Sequence, residues 1–353
     1  MKWYSLTYLI LPFIAFSCGQ KSAEENVKGK ESKVVVAENA AVDNDIEKWT
    51  LAAPDGMSLT KADIDTMSIR NPFVRYERKS NRYYMVGDGG YMWISKNLKE
   101  WEGPYNVLDG KDNALADGNV AAPEIHLHDG RYYYMASLER TGANGEASAH
   151  CVVLVSDSIT GPYKIVDKNS NLLEGDGVAA APAYATDELG AAYMIYAKSD
   201  GKSSAAVEIV RLTDDLGRRM GEPYKMLRGT DESLLAMSGK GSGQEIASPF
   251  VFVTDEGVPG MLFTTMLRGE SVIGVAYSKM ELGHWLNGPW IVENEPFVGG
   301  NVGGASVFED YDGTSVLIMH KDTLIGGKRK FLPRMIKVDT QFDKLKKKGF
   351  YIF

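Results

Sequence analysis

Beyond residue 70 the chain alternates hydrophobic and polar positions in short bursts that return in a fixed order. Each unit opens on a small or polar residue, in four units directly before proline: Asn71-Pro72, Ala122-Pro123, Ala181-Pro182 and Ser248-Pro249. The fifth opens over residues 305–308, with Val307 in the proline's place. An aromatic or β-branched run follows in each unit, over 82–85, 131–134, 192–195, 261–263 and 316–319. Such residues favour strands. Between the two, Asp129-Gly130 and Asp312-Gly313 supply the positive φ that two-residue hairpins need. Units close on Gly103-Pro104, Gly161-Pro162, Glu222-Pro223 and Gly288-Pro289, and the fifth keeps only a strand over 335–338.

The openings lie about 50 to 67 residues apart, a period that marks repeat architectures. Four strands per unit, repeated five times without a long amphipathic helix, predict an all-β fold, a five-bladed β-propeller whose innermost strands line a central channel. Its blades are expected to start near residues 70, 121, 181, 247 and 304. A β-sandwich would not explain the fivefold return of one strand order.

The first residues read differently. Lys2, an apolar run over 8–16 and then Ser17-Cys18 have the order of a secretory signal, and the apolar core is too short to span a bilayer. Cys18 stands where a lipoprotein signal peptidase leaves a lipidated cysteine, so residues 1–18 are expected to be a lipoprotein signal peptide. An ordinary signal with a chance cysteine is the alternative. Residues 19–48 are rich in Lys, Glu, Ala, Ser and Asn and lack aromatics up to Trp49, which predicts a flexible tether before a propeller over 49–353. The protein is thus expected to be exported and lipid-anchored to a bacterial membrane, as a monomer with no other membrane contact. The other cysteine, Cys151, lies in an apolar strand and is expected to be a buried thiol. A formal net charge of −8 argues against nucleic acid as a partner.

Arg70-Asn71-Pro72, the run 95–98 followed by Trp101, Ala122-Pro123-Glu124 followed by Gly130-Arg131-Tyr132-Tyr133, and Gly288-Pro289-Trp290 together resemble the five-bladed family 43 glycoside hydrolases over nearly everything after Pro54. The resemblance implies a carbohydrate partner, plant or algal polysaccharide, and hydrolysis that inverts the anomeric centre. Inversion needs two carboxyl groups about 6.5 to 9.5 Å apart, leaving room for a water. In that family an Asp before the first blade's proline is the base, an acidic residue after the second blade's proline tunes pKa, and a Glu two residues before the fourth blade's proline is the acid. Those positions carry Asn71, Glu124 and Ala247 here. An amide does not take a proton from water, and a methyl has none to give. Positions where some relatives carry further Asp or His residues hold Ala181 or Ala183, Ser248 and the run 303–306.

Glu124 and Glu245 are therefore the candidate catalytic pair, with Glu245 two residues upstream of the expected acid. A solvated loop carboxylate is the alternative for Glu245. Candidate substrate-binding residues are Arg70, Asn71, Tyr91, Trp93, Ser248 and His320. Glu124, His126 and His128 alternate on one strand, a spacing open to a metal, but no further ligand is nominated and the histidines are expected near the hairpin, away from the axis. No cofactor is expected. Three readings follow: a hydrolase with an altered site, a catalytically silent glycan-binding propeller, and a protein-interaction propeller. Asn71, Glu124 and Ser248 are expected to meet at one mouth of the channel.

Overall fold

The computed structural model describes residues 51–109, 118–141, 147–167, 172, 178–187, 189–199, 205–238, 244–279, 288–340 and 343–351. They belong to the compact unit Val42–Phe353. Cys18 and residues 19–48 lie outside the described residues. Among the described residues no helix is long and apolar enough to cross a membrane.

Five antiparallel sheets form a five-bladed β-propeller. The first blade holds β2 (Phe73–Glu77), β3 (Arg82–Val86), β4 (Tyr91–Ser95) and β5 (Glu100–Asn106), and β1 (Thr60–Asp63) pairs outside β5. The second holds β6 (Asn119–His128), β7 (Arg131–Thr141), β8 (Ala147–Ser156) and β9 (Lys164–Ile165). The third is β10 (Val178–Thr186), β11 (Ala192–Ser199), β12 (Ala205–Leu212) and β13 (Arg219–Arg228). A seven-residue helix, α1 (Glu232–Ser238), precedes the fourth, β14 (Ala247–Val253), β15 (Pro259–Leu267), β16 (Glu270–Ser278) and β17 (Trp290–Val292). The fifth is β18 (Val302–Glu309), β19 (Ser315–Ile325), β20 (Lys328–Asp339) and β21 (Lys346–Phe350).

The aromatic second strands are apolar on both faces because each face meets a different neighbour. In β3, Tyr84 and Val86 enter the cluster between the first and second blades, while Tyr83 and Met85 enter the one between the fifth and first. In β19, Leu317 and Met319 face the fourth blade, and Val316 and Ile318 face the first. Strand period 2 thus assigns successive residues to opposite seams. Five apolar clusters fill the five seams. Leu317 is fully buried, and Leu317→Ala would cost about 2 to 5 kcal/mol. Trp101 belongs to this packing, wholly buried with its Nε1 donating to the Leu98 carbonyl at 2.8 Å. Cys151 is buried, and burial raises its thiol pKa.

Among the described residues no strand is shared between the last blade and the first. That seam is closed by apolar packing and by Tyr83 and Tyr351, whose hydroxyls both donate to the buried Asp310.

Two expectations for the fifth blade need correction. It closes on two strands, β20 and β21, rather than on the one over 335–338, and the hairpin β19–β20 is long, its residues from 322 onward running past the start of β18 at the channel mouth. The register break that separates Ala121 from Glu124 in β6 falls between Gly303 and Ser306 in β18. Ala305, not Val307, therefore occupies the proline position.

Candidate active site

The residue before each proline position has left-handed backbone: Asn71 (φ 49°), Ala122 (45°), Ala181 (53°), Ser248 (46°) and Gly304 (58°). All five surround one axial space of ≈ 30 Å³, with the prolines, Phe73, Glu124 and Ser306 beside them. Such a space holds a water or two and excludes a sugar ring. Asn71, Glu124 and Ser248 do meet here. Glu124, however, lies two residues further along its strand than Asn71 and Ser248, at the phase of Phe73 and Ser306: Glu124 pairs with Met135, Phe73 with Val86 and Ser306 with Ile318.

The left-handed residues aim their amides backwards across the seams, and side chains of the preceding blade receive them. Ala122 N donates to Asp88 Oδ1 at 2.8 Å, Ala181 N to Ser137 Oγ at 2.7 Å, Gly304 N to Thr264 Oγ1 at 3.0 Å and Asn71 N to His320 Nδ1 at 3.1 Å. Ala197 holds the equivalent place in the third blade and has no acceptor to offer Ser248. The acceptors stand two residues beyond Val86, Met135, Leu262 and Ile318, each opposite the inner strand. Sequence reasoning missed this ring. Its signal was present, an acceptor-bearing residue at one phase of four second strands.

Asp88 ties the mouth together. Its Oδ1 also accepts from Asn71 Nδ2 at 3.0 Å, and its Oδ2 lies 3.5 Å from Arg70 Nη1. The other side of the Asn71 amide is closed by Gly304, where a Cβ would stand 2.3 Å from Asn71 Oδ1, so only glycine fits that approach. Arg70 is half exposed and lies over the Phe331 ring at 5.6 Å, which Arg329 approaches from 5.2 Å. Asp322 pairs with Arg329, and that bond lowers its pKa.

His320 is buried against Phe331, with ring centroids 5.3 Å apart. Burial, then the Arg70 cation, push its pKa down to about 4. It is neutral at pH 7, and because Nδ1 accepts from Asn71, the ring proton belongs on Nε2.

Glu124 is buried, with Oε2 2.7 Å from His126 Nε2. His126 does not lie away from the axis as expected: its ring is 5.3 Å from Phe73 and 4.9 Å from Tyr184. His128 Nδ1 meets the Tyr184 hydroxyl at 2.8 Å. The His126 ring turns inward because the neighbouring inner strands offer Phe73 and Tyr184 to pack on, whereas His128 stays at the hairpin end as expected, its Nε2 3.8 Å from Asp129 Oδ2. Among the described residues no group of three or more His, Cys, Asp or Glu side chains is placed to hold a metal.

Glu245 is exposed, and its carbonyl accepts from Thr265 Oγ1 at 2.6 Å. It precedes β14, which starts at the exposed Ala247, so strand alternation does not fix its side. Tyr91 and Trp93 are on β4, the third strand from the axis, and neither lines the axial space. Trp93 packs on the cluster between the fifth and first blades, and Tyr91 is half-buried beside Gly89.

Comparison with known proteins agrees with this architecture. No curated protein matches the chain. Among solved structures, the endo-arabinase from Bacteroides thetaiotaomicron VPI-5482 shares 22% identity over 84% of this chain and 100% of its own, with a TM-score of 0.66. A thermostable family-43 glycoside hydrolase shares 21% over 85% of this chain and 96% of its own, at 0.65. The endo-1,4-beta-xylanase from Bacteroides thetaiotaomicron VPI-5482 shares 17% over 80% and 95%, at 0.62. These likenesses carry the fold. Residues 66–246, more than half of the chain, match the sequence profile of the glycosyl hydrolases family 43, and with the five blades already traced the chain belongs to that family.

Proposed function

We propose that the protein recognises plant or algal polysaccharide at the channel mouth around Asn71 and hydrolyses ordinary arabinosides and xylosides very slowly or not at all. The observation that carries this is the contact between Asn71 Nδ2 and Asp88 Oδ1 at 3.0 Å. A carboxylate in place of the amide would face a second carboxylate at hydrogen-bond distance, and the two could ionise together only at high cost. The surroundings of residue 71 therefore suit an amide. With Ala247 at the acid position, neither half of the usual acid–base pair is in place. General acid and base assistance contribute about 10² to 10⁴ each, so most of the chemistry is lost while the shape of the mouth remains. The endo-arabinase and endo-1,4-beta-xylanase neighbours support arabinan and xylan as the polymers to try first.

The test compares arabinan and xylan binding with their turnover. Binding without turnover is expected. Asn71→Asp alone should restore little, Asn71→Asp with Ala247→Glu more, and adding Asp88→Ser more again, since it removes the competing carboxylate. Robust turnover by the unaltered protein, abolished by Glu245→Gln, would overturn the reading and assign the acid to Glu245, with Glu124 as its partner.

The order of Lys2, apolar run and Cys18 supports an exported protein lipid-anchored to a bacterial membrane. Cys18→Ala should move it from the membrane fraction to the soluble fraction; unchanged membrane association would refute the anchor.

A further inference from the structure

Beyond the axial ring, further along the same inner strands, lies a second cavity of ≈ 420 Å³ to which all five blades contribute. Phe73, His126, Tyr184 and Phe250 bring aromatic rings to its wall. At its rim Arg78 and Glu309 cancel each other at 2.8 Å. His126 is engaged by Glu124. Arg75 is the exception: its Nε is buried without a hydrogen-bond partner, and the groups its charge meets are the Tyr132 and Tyr163 hydroxyls of the second blade, not a carboxylate held in an ion pair among the described residues. A half-buried cation left unpaired is unfavourable for folding alone.

We propose that this cavity binds a sugar acid, with its carboxylate on Arg75 and its ring against the aromatic wall. Three features select that class. The volume is that of a small-ligand site, in the range of about 300 to 1,000 Å³. One uncompensated guanidinium matches one carboxylate in a bidentate fork, whereas a doubly charged phosphate would call for more cations than the lining supplies. Flat aromatic faces suit the CH face of a sugar ring better than an alkyl chain. The site is separate from the polysaccharide mouth and does not depend on it.

Histidine-selective labelling of the full-length protein gives five signals, one for each histidine, and reports on both ends of the channel. The probes are galacturonate and, as the uncharged control, galactose. Galacturonate should shift the His126 signal saturably and leave His320 in place, and galactose at the same concentration should shift neither. Arg75→Gln should weaken the galacturonate response tenfold or more, the scale of a lost charge-assisted hydrogen bond. An equal response to both sugars, no response, a response at His320 instead, or one that survives Arg75→Gln overturns the proposal. Should the variant fail to fold, the two titrations of the unaltered protein decide. Arabinan binding is measured independently, so either site can fail without the other.

Discussion

The two ends of the channel are built from the same five strands and treat polar side chains in opposite ways. At the ring, Asp88, Ser137, Thr264 and His320 each receive an amide from the next blade, and Asn71 is held by two of them. At the far cavity, Arg75 Nε is buried with no hydrogen-bond partner among the described residues, and its charge meets only the Tyr132 and Tyr163 hydroxyls across the seam. Polar groups at the ring join blades, so removing one should loosen the fold. A charge that joins nothing contributes little to stability, and its presence is better explained by something that binds to it.

Stability measurements can break this contrast. Asp88→Ala should have the largest effect, about 3 to 4 kcal/mol, because it strips charge-assisted bonds from the Ala122 and Asn71 amides and leaves both donors short of a partner. A loss under 1 kcal/mol in denaturant unfolding would mean that the ring does not hold the blades. The next effect is pH-dependent. Folded His320 protonates near 4 and the unfolded chain near 6.5, so the unfolded state takes up the proton first as pH falls. Stability from this group is complete above 6.5, declines towards 4 and then levels off, by roughly 3 kcal/mol in all. Arg70 and Arg329 deepen the shift and Asp322 opposes it. His320→Gln should flatten the slope between pH 4 and 6.5 relative to the unaltered protein; equal slopes would show that His320 titrates normally.

Ala197→Ser should gain about 1 kcal/mol by giving the Ser248 amide the acceptor that Ser137 gives Ala181 at 2.7 Å. A lower melting temperature would mean that the third blade departs from the ring geometry. Arg75→Met should change stability least, within about 0.5 kcal/mol or slightly upwards, since no bond is lost. A drop comparable to that of Asp88→Ala would erase the difference between the two ends.

The blades were legible because prolines and aromatic strands recur at one phase, and a residue packed on both faces leaves little choice but a strand between two neighbours. The fifth blade blurred where its marker vanished: Ala305 replaces proline, and the charged stretch 321–330 hides a hairpin whose Gly326-Gly327 turn was in plain view. Asn71 and Ala247 could be placed because a neighbouring proline fixes each. Asp88 is not among the candidates the sequence nominates, since its partners are 17 and 34 positions away. His126 was assigned to the hairpin end because the sequence does not say what the adjacent blades offer a ring to pack on.

The left-handed backbone at residue 71 has a consequence for how such a protein changes over generations. Asn and Asp are both at home at a φ near 49°, so exchanging one for the other alters the charge of the mouth and leaves the chain's path as it was. A single substitution there can therefore recharge the mouth without weakening the propeller. The way back is steeper. Once Asp88 has closed on the amide of Asn71, a returning carboxylate meets a like charge, and the reversal must wait for a change at residue 88. The pair acts as a ratchet: one click is nearly free, and its undoing takes two.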